Sequence, residues 1–309
     1  MSVTERIIIE AEKAIIGKEN IVKNCISAML SGGHILFEDV PGVGKTTLSL
    51  AISKIFGMNF KRIQFTPDTM PSDILGFSYF EKQSGKLKFQ EGAVMTNILL
   101  ADEINRTSPK TQSALLEAME EKQISVDGNT YKLPSPFTVI ATQNPTGSAG
   151  TQVLPNSQLD RFAVRLKMGY PDFKQQIEIL KSDKSEKSID NINKIIDKDT
   201  YFSLQKQVEK VYISDEVYEY ITKLVEKTRN NDDIDLGISP RGAIAVCKIA
   251  KATAFLNERD FVIPPDIAEI FEITCAHRII LNKQAKLSGI SDTEIINKIL
   301  NETKMPKIG

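Results

Sequence analysis

The chain has 309 residues, 41% of them hydrophobic and 26% charged, with a formal net charge of -1. This is the composition of a globular protein with ample core material, in a length that suits one large or two modest domains. The near-neutral balance excludes a global electrostatic pull toward nucleic acid or an anionic membrane.

The N-terminal stretch Met1–Ala14 carries Glu5, Arg6, Glu10, Glu12 and Lys13, so it lacks the apolar segment of a secretion signal. No run approaches the length of a membrane span. The nearest, Ala243–Leu256, is broken by Lys248 and Lys251 and reads as an amphipathic helix. A cytoplasmic protein without membrane insertion is expected. Cys25, Cys247 and Cys275 are far apart and read as reduced, mostly buried thiols. With only His34 and His277 beside them, ligands for zinc are lacking.

His34-Ile35-Leu36-Phe37 predicts a short buried strand. Lys45–Phe56 follows as a helix, with Leu48, Ile52, Ile55 and Phe56 on one face. Asn97–Ala101 and Phe137–Thr142 are two further buried runs. Continuous apolar strands between helices predict a parallel sheet covered on both faces. Two hairpins interrupt the pattern. Phe77–Phe89 alternates around Gln83-Ser84-Gly85, and Ile124–Leu133 alternates around Asp127-Gly128, where both turn residues tolerate positive φ. Beyond Pro171 the strand signal fades. Lys181–Asp199 suits a solvated connection, and the remainder predicts helices, with Ser239-Pro240 and the Ser291/Glu294 pair as start signals. The pattern is an α/β domain followed by a helical one, with no internal repeat.

Between the first strand and its helix lies Pro41-Gly42-Val43-Gly44-Lys45-Thr46-Thr47. A glycine-rich loop between strand and helix is the context of a phosphate cradle: backbone N–H groups turn toward phosphate oxygens and the helix N-terminus adds its dipole. Lys45 is then placed for the β and γ phosphates of ATP, and the Thr46 hydroxyl for Mg²⁺. Asp39 stands where the strict pattern has Gly. A carboxylate facing phosphate would repel it by roughly 4 kcal/mol at ~4 Å and an effective dielectric of about 20, so the Asp39 side chain should point away.

Asp102-Glu103 ends the Ile98–Ala101 run, at the strand end where such sheets bind ligands. Asp102 suits Mg²⁺ alongside Thr46, and Glu103 suits the proton of an attacking water. Asn144 ends the Phe137–Thr142 strand and falls near the γ-phosphate. Arg161, in Gln158-Leu159-Asp160-Arg161-Phe162, is the side-chain type that stabilises transferred phosphoryl charge. Arg241 follows Ser239-Pro240, so it lies in the first turn of a helix. A cation there opposes the helix dipole by ~0.3–1 kcal/mol, which invites a functional reason such as meeting phosphate.

These residues together name a family. Over nearly its whole length the chain resembles the MoxR branch of AAA+ ATPases. The matching segments are Glu38–Thr46, Gln64–Asp68, Leu100–Arg106, Ala141–Pro145, Gln158–Phe162 and Gly237–Arg241. The resemblance implies a P-loop NTPase core of three αβα layers over residues 1–172 and an α-helical lid over residues 173–309. It makes Lys45 and Thr46 look like Walker A, Asp102 and Glu103 like Walker B, and Asn144 like sensor 1. Arg161 then looks like an arginine finger and Arg241 like sensor 2. Hairpin 77–89 looks like the helix-2 insert, and hairpin 124–133 like the pre-sensor-1 hairpin.

The family's activity is ATP hydrolysis with Mg²⁺ in rings that are typically hexameric. Its members act like chaperones, often beside proteins carrying von Willebrand A domains, to assemble complexes or insert metal cofactors. Two departures stand out: Asn156-Ser157 where relatives often carry Glu-Ala, and Glu258 where a Gly usually precedes Arg259-Asp260.

Two other classes compete with a remodeller of protein clients. A nucleic-acid motor would present basic residues on its hairpins, yet Glu81 and Glu91 accompany Lys82, Lys86 and Lys88. A low-turnover nucleotide switch is opposed by the intact Glu103 and Arg161.

Overall fold

The computed structural model describes residues 2–40, 42–144, 154–181 and 189–307, so Pro41 and Pro145 lie outside the described residues. The chain divides into two compact units, each drawing on separated stretches of sequence. The first takes Met1–Val22, His34–Leu154 and Leu166–Tyr201, and the second takes Lys23–Gly33, Pro155–Arg165 and Phe202–Gly309.

The strands are β1 (Ile35–Glu38), β2 (Phe60–Gln64), β3 (Gly76–Glu81), β4 (Lys86–Glu91), β5 (Ile98–Asp102), β6 (Gln123–Val126), β7 (Asn129–Lys132), β8 (Thr138–Gln143) and β9 (Val164–Leu166). Five of them form one sheet in the order β2-β5-β8-β1-β9. The pairs β2–β5, β5–β8 and β8–β1 are parallel, with Leu36 opposite Ala141 and Leu100 opposite Ile140. β5 is buried along its whole length, and β8 as far as Thr142. This is what a continuous apolar run achieves when both sheet faces are covered. Because β1, β5 and β8 run the same way, their C-terminal ends emerge along one edge, the edge where open α/β sheets bind ligands.

His34 fastens the start of β1. Its Nδ1 accepts from the Val139 N–H at 2.9 Å, so Nε2 carries the proton and donates to the Met119 carbonyl at 3.2 Å.

Both hairpins are present as antiparallel pairs, β3 with β4 and β6 with β7. The first runs Gly76–Glu91, slightly longer than its aromatic alternation alone indicates. Asp127 (φ 50°) and Gly128 (φ 79°) both take left-handed backbone at the second turn. Phe89 of β4 stacks on Tyr131 of β7, with ring centroids 4.1 Å apart and planes 13° from parallel, which joins the two hairpins. Phe77, Tyr79, Phe80 and Leu87 remain exposed on the first.

The second unit is mainly helical. Helices Asp215–Arg229, Pro240–Leu256, Pro264–Cys275 and Asp292–Asn301 bury Val217, Leu224, Val246, Ile249, Ile267, Phe271 and Ile296. Pro240–Leu256 begins with Ser239, whose hydroxyl accepts from the Gly242 N–H at 3.1 Å. Asp292–Asn301 begins with a reciprocal Ser291/Glu294 box. One element escaped the sequence pattern: an antiparallel ribbon of Ile234–Leu236 with Ile280–Leu281. Strands of two or three residues are too short to display alternation. Cys25 and Cys275 are buried free thiols and Cys247 is half-buried. Among the described residues no helix is long and apolar enough to cross a membrane.

Candidate nucleotide site

After β1 the chain turns through Gly42 (φ 83°) and Gly44 (φ 94°) into helix Lys45–Ile55. Left-handed backbone suits glycine, which has no Cβ to clash. A Cβ on Gly42 would meet nothing within 4 Å, so the loop is open on that side. Gly44 is the N-cap and provides no side-chain acceptor for the first turn. This leaves the helix dipole and its leading N–H groups available to an anion.

Lys45 opens this helix with its ammonium buried, donating from Nζ to the Asp39 carbonyl at 3.0 Å. Burial pushes the ammonium below its usual range, and the carboxylates of Asp39, Asp102 and Glu103 oppose that shift. The Asp39 carboxylate itself is occupied by backbone. Oδ1 accepts from the Val40 N–H at 2.9 Å and Oδ2 from the Gly169 N–H at 2.7 Å. Asp39 therefore fastens the loop to the segment after β9. Thr46 and Thr47 follow Lys45 in the first helical turn and are half-buried.

Asp102 and Glu103 leave the end of β5 under the control of one hydroxyl. Thr142 Oγ1 donates to Asp102 Oδ1 at 3.2 Å and accepts the Glu103 N–H at 2.8 Å. The other Asp102 oxygen accepts from Arg62 Nε of β2 at 2.7 Å. Glu103 takes left-handed backbone, φ 56° and ψ 48°, a conformation that costs an L residue about 1–2 kcal/mol. It re-aims the side chain away from the strand direction. Asn144 Nδ2 donates to Glu103 Oε1 at 3.0 Å, and Arg106 donates to Oε2 at 2.9 Å. Burial raises the Glu103 carboxyl, but the hydrogen bonds of Arg106 and Asn144 and the charges of Arg106 and Lys45 outweigh it and hold the group below its usual range. Asn105 donates to the Asn144 carbonyl at 3.2 Å, and its buried Oδ1 has no hydrogen-bond partner among the described residues.

Lys45, Asp102, Glu103 and Asn144 thus converge in the first unit. Arg161 and Arg241 lie in the second unit. Arg161 is half-buried just after the short helix Asn156–Leu159, and Arg241 is exposed in the first turn of Pro240–Leu256. Between their segments, Asp160 accepts from the Ser239 hydroxyl at 3.2 Å and from Arg278 Nε at 2.8 Å.

Arg62 and Arg278 lie outside every motif read from the sequence, and Arg106 and Thr142 lie inside matching segments without a role of their own having been read from them. The Arg106 position, three residues after Glu103, offered the one local signal, an acid and a base a helical turn apart.

The residue types fit a magnesium nucleotide. The loop glycines and uncapped helix start suit phosphate, and the Thr46 hydroxyl and Asp102 carboxylate are hard oxygen donors. Mg²⁺ commonly takes one or two such protein oxygens together with substrate phosphates. Among the described residues, no group of three or more His, Cys, Asp or Glu is placed to hold a metal ion by itself.

Residues 34–164 match the ATPase family associated with various cellular activities (AAA), and residues 226–299 match the AAA lid domain. The chain is 46% identical to the uncharacterized protein YeaC of Bacillus subtilis, over 95% of this chain and 92% of the relative. It is 34% identical to the chaperone MoxR1 of Mycobacterium tuberculosis, over 98% of this chain and 82% of the relative. A solved structure from Cytophaga hutchinsonii, provisionally described as an ATPase, superposes with a TM-score of 0.91 at 37% identity. It covers 99% of this chain and 95% of that one.

Proposed function

The chain belongs to the MoxR family of AAA+ ATPases, and on that basis we propose that it hydrolyses ATP with Mg²⁺ at the subunit interfaces of a ring and thereby remodels or assembles protein clients. The observation that carries this reading is the pairing of Glu103 with Asn144 at 3.0 Å, within the electrostatic reach of Lys45.

In this reading the loop 41–47 binds the phosphates and Lys45 neutralises the β and γ groups. Thr46 and Asp102 would hold Mg²⁺, which would supply neutralisation of phosphate charge. Glu103 orients the attacking water and accepts its proton, and Asn144 fixes the carboxylate and the water's position. Arg161 of a neighbouring subunit stabilises charge on the transferred phosphoryl group, a contribution of ~10³–10⁵ in rate. Arg241 meets the phosphates from the lid.

The name of the Mycobacterium tuberculosis relative, a chaperone, supports a protein client, and the family resemblance supports a von Willebrand A-domain partner. The first hairpin agrees with protein contact. It exposes Phe77, Tyr79, Phe80 and Leu87, and Lys88 spends its charge on Glu81 at 2.8 Å.

Subunit mixing tests the shared site. Glu103→Gln and Arg161→Ala proteins should each keep only a small residual rate alone. Mixed, they should regain turnover, because an intact water-activating site then meets an intact finger from its neighbour. No gain on mixing would refute the shared site.

A further inference from the structure

Arg278 is the most heavily engaged cation described in the second unit. Its side chain is 2% exposed. Nε donates to Asp160 Oδ1 at 2.8 Å, Nη2 to the Phe162 carbonyl at 2.7 Å and to the Asp160 carbonyl at 3.4 Å, and Nη1 to the Ala163 carbonyl at 3.2 Å. Nη1 also reaches the Thr274 carbonyl. Its neighbour His277 adds a further bond, with Nε2 3.0 Å from the Phe162 carbonyl. The carbonyls on both sides of Arg161 are therefore held from one three-residue turn, Ala276–Arg278.

The Arg278 side chain also packs against the start of the Arg241 helix. A Cβ on Gly242 would lie 2.9 Å from Arg278 Cδ and 2.7 Å from Ile238 Cγ2, so only glycine lets Arg278 pass there. Ser239, the N-cap of that helix, donates to the second Asp160 oxygen at 3.2 Å. A planar five-donor fork is the side chain suited to holding several acceptors in fixed directions at once. A surface salt bridge needs none of these backbone contacts.

We propose that Asp160 and Arg278 are positioning residues that fix the backbone carrying Arg161 and tie it to the helix start carrying Arg241. This rests on the reading of Arg161 as the arginine finger. Asp160 touches no reacting atom, and its effect passes through the arginine beside it. The network makes the two arginines one mechanical piece, so a shift of the helix start at Ser239 is transmitted to the finger.

The test is a double-mutant cycle on the assembled full-length chain, reading kcat, KM for ATP and affinity for a non-hydrolysable ATP analogue. Asp160→Asn keeps the shape and removes the charge that Arg278 meets. It should lower kcat by about 10- to 100-fold, the scale of a small misplacement of a catalytic group, while analogue affinity falls far less, because Lys45 and the glycine loop still hold the phosphates. In the Arg161→Ala background the same substitution should add no further loss.

Full kcat in Asp160→Asn, or an equal further loss in the Arg161→Ala background, overturns the proposal. Full turnover in Arg161→Ala alone overturns the finger reading instead, so the two failures are distinguishable. Should Asp160→Asn not fold, Arg278→Lys is judged by the same criteria, since lysine keeps the charge but cannot span the carbonyls. Failure of both variants to fold would make the contact purely structural and also overturn the assignment.

Discussion

Asn144 donates from its Nδ2 to Oε1 of Glu103 at 3.0 Å, across 41 residues of sequence. The bond joins the end of β8 to the residue after β5, and it leaves Glu103 with both oxygens engaged, since Arg106 holds the other. A carboxylate gripped at both oxygens is aimed and kept ionised.

Thr142 governs this arrangement from below. It is 2% exposed, and its single hydroxyl serves both Asp102 and the Glu103 N–H. Thr142→Val leaves that part-buried N–H without its partner, at a cost of about 1 kcal/mol. Urea unfolding should reveal the loss, and phosphate release should slow because Glu103 is no longer pinned in left-handed backbone. A Thr142→Val protein with unchanged unfolding midpoint and turnover would rule out this role.

Arg106 sets the ionisation of Glu103. The hydrogen bond and charge of Arg106 help to hold the carboxyl below its usual range against the upward push of burial. Removing them moves its pKa up. The ionised form is the one that accepts a proton, so the acid limb of the kcat profile in Arg106→Gln should move to higher pH. The Arg106 side chain is 42% exposed, so raising salt should shift the wild-type limb in the same direction and the variant's less. An unmoved limb would separate Arg106 from the chemistry.

Glu258 occupies left-handed backbone, φ 59°, just after helix Pro240–Leu256. The turn that glycine usually makes in relatives is retained here by an L residue, at a local cost of about 1–2 kcal/mol. Glycine gives back part of that through its looser unfolded chain. Glu258→Gly should therefore stabilise the protein by up to about 1 kcal/mol, with turnover unchanged. A lower melting temperature would show that the glutamate makes a compensating contact.

His277 ties acid sensitivity to the same unit. Burial first, and then the charges of Arg278 and Arg165, push its imidazole well below the usual value, against the smaller upward effect of its bond to Phe162. The folded chain thus binds fewer protons at this site than the unfolded chain once pH falls below about 6.5. Its contribution is fully present above that value and is lost progressively as pH falls toward the depressed folded pKa. Between pH 7.5 and 5.5, the urea midpoint of the wild type should fall more than that of His277→Gln. Parallel falls would exclude His277 as the source.

Much of the site was legible because its chemistry sits in contiguous segments. Gly42–Thr46 and Asp102-Glu103 follow buried apolar runs, and a run of that kind announces both the strand and the edge it ends on. The supporting contacts were not legible. Arg62 meets Asp102 from 40 residues away and Arg278 meets Asp160 from 118 residues away, and neither spacing leaves a trace in local periodicity. Asp39 was readable only as a departure. Its purpose emerges from the Gly169 N–H, 130 residues on. The hairpins were visible from alternation and turn chemistry, but the Phe89–Tyr131 stack between them was not, because pairing of two half-exposed rings is a tertiary event.

Phosphate release and nucleotide binding, measured together on the same preparations, put the site itself at stake. With ATP and Mg²⁺, the wild type should turn over. Glu103→Gln should bind ATP as tightly and release phosphate at least about 100-fold more slowly, the scale of a lost general base. Lys45→Ala should fail to bind at all. Wild-type phosphate release by Glu103→Gln would contradict the assignment of the water-activating carboxylate and, with it, the chemistry built around Lys45, Asp102 and Asn144.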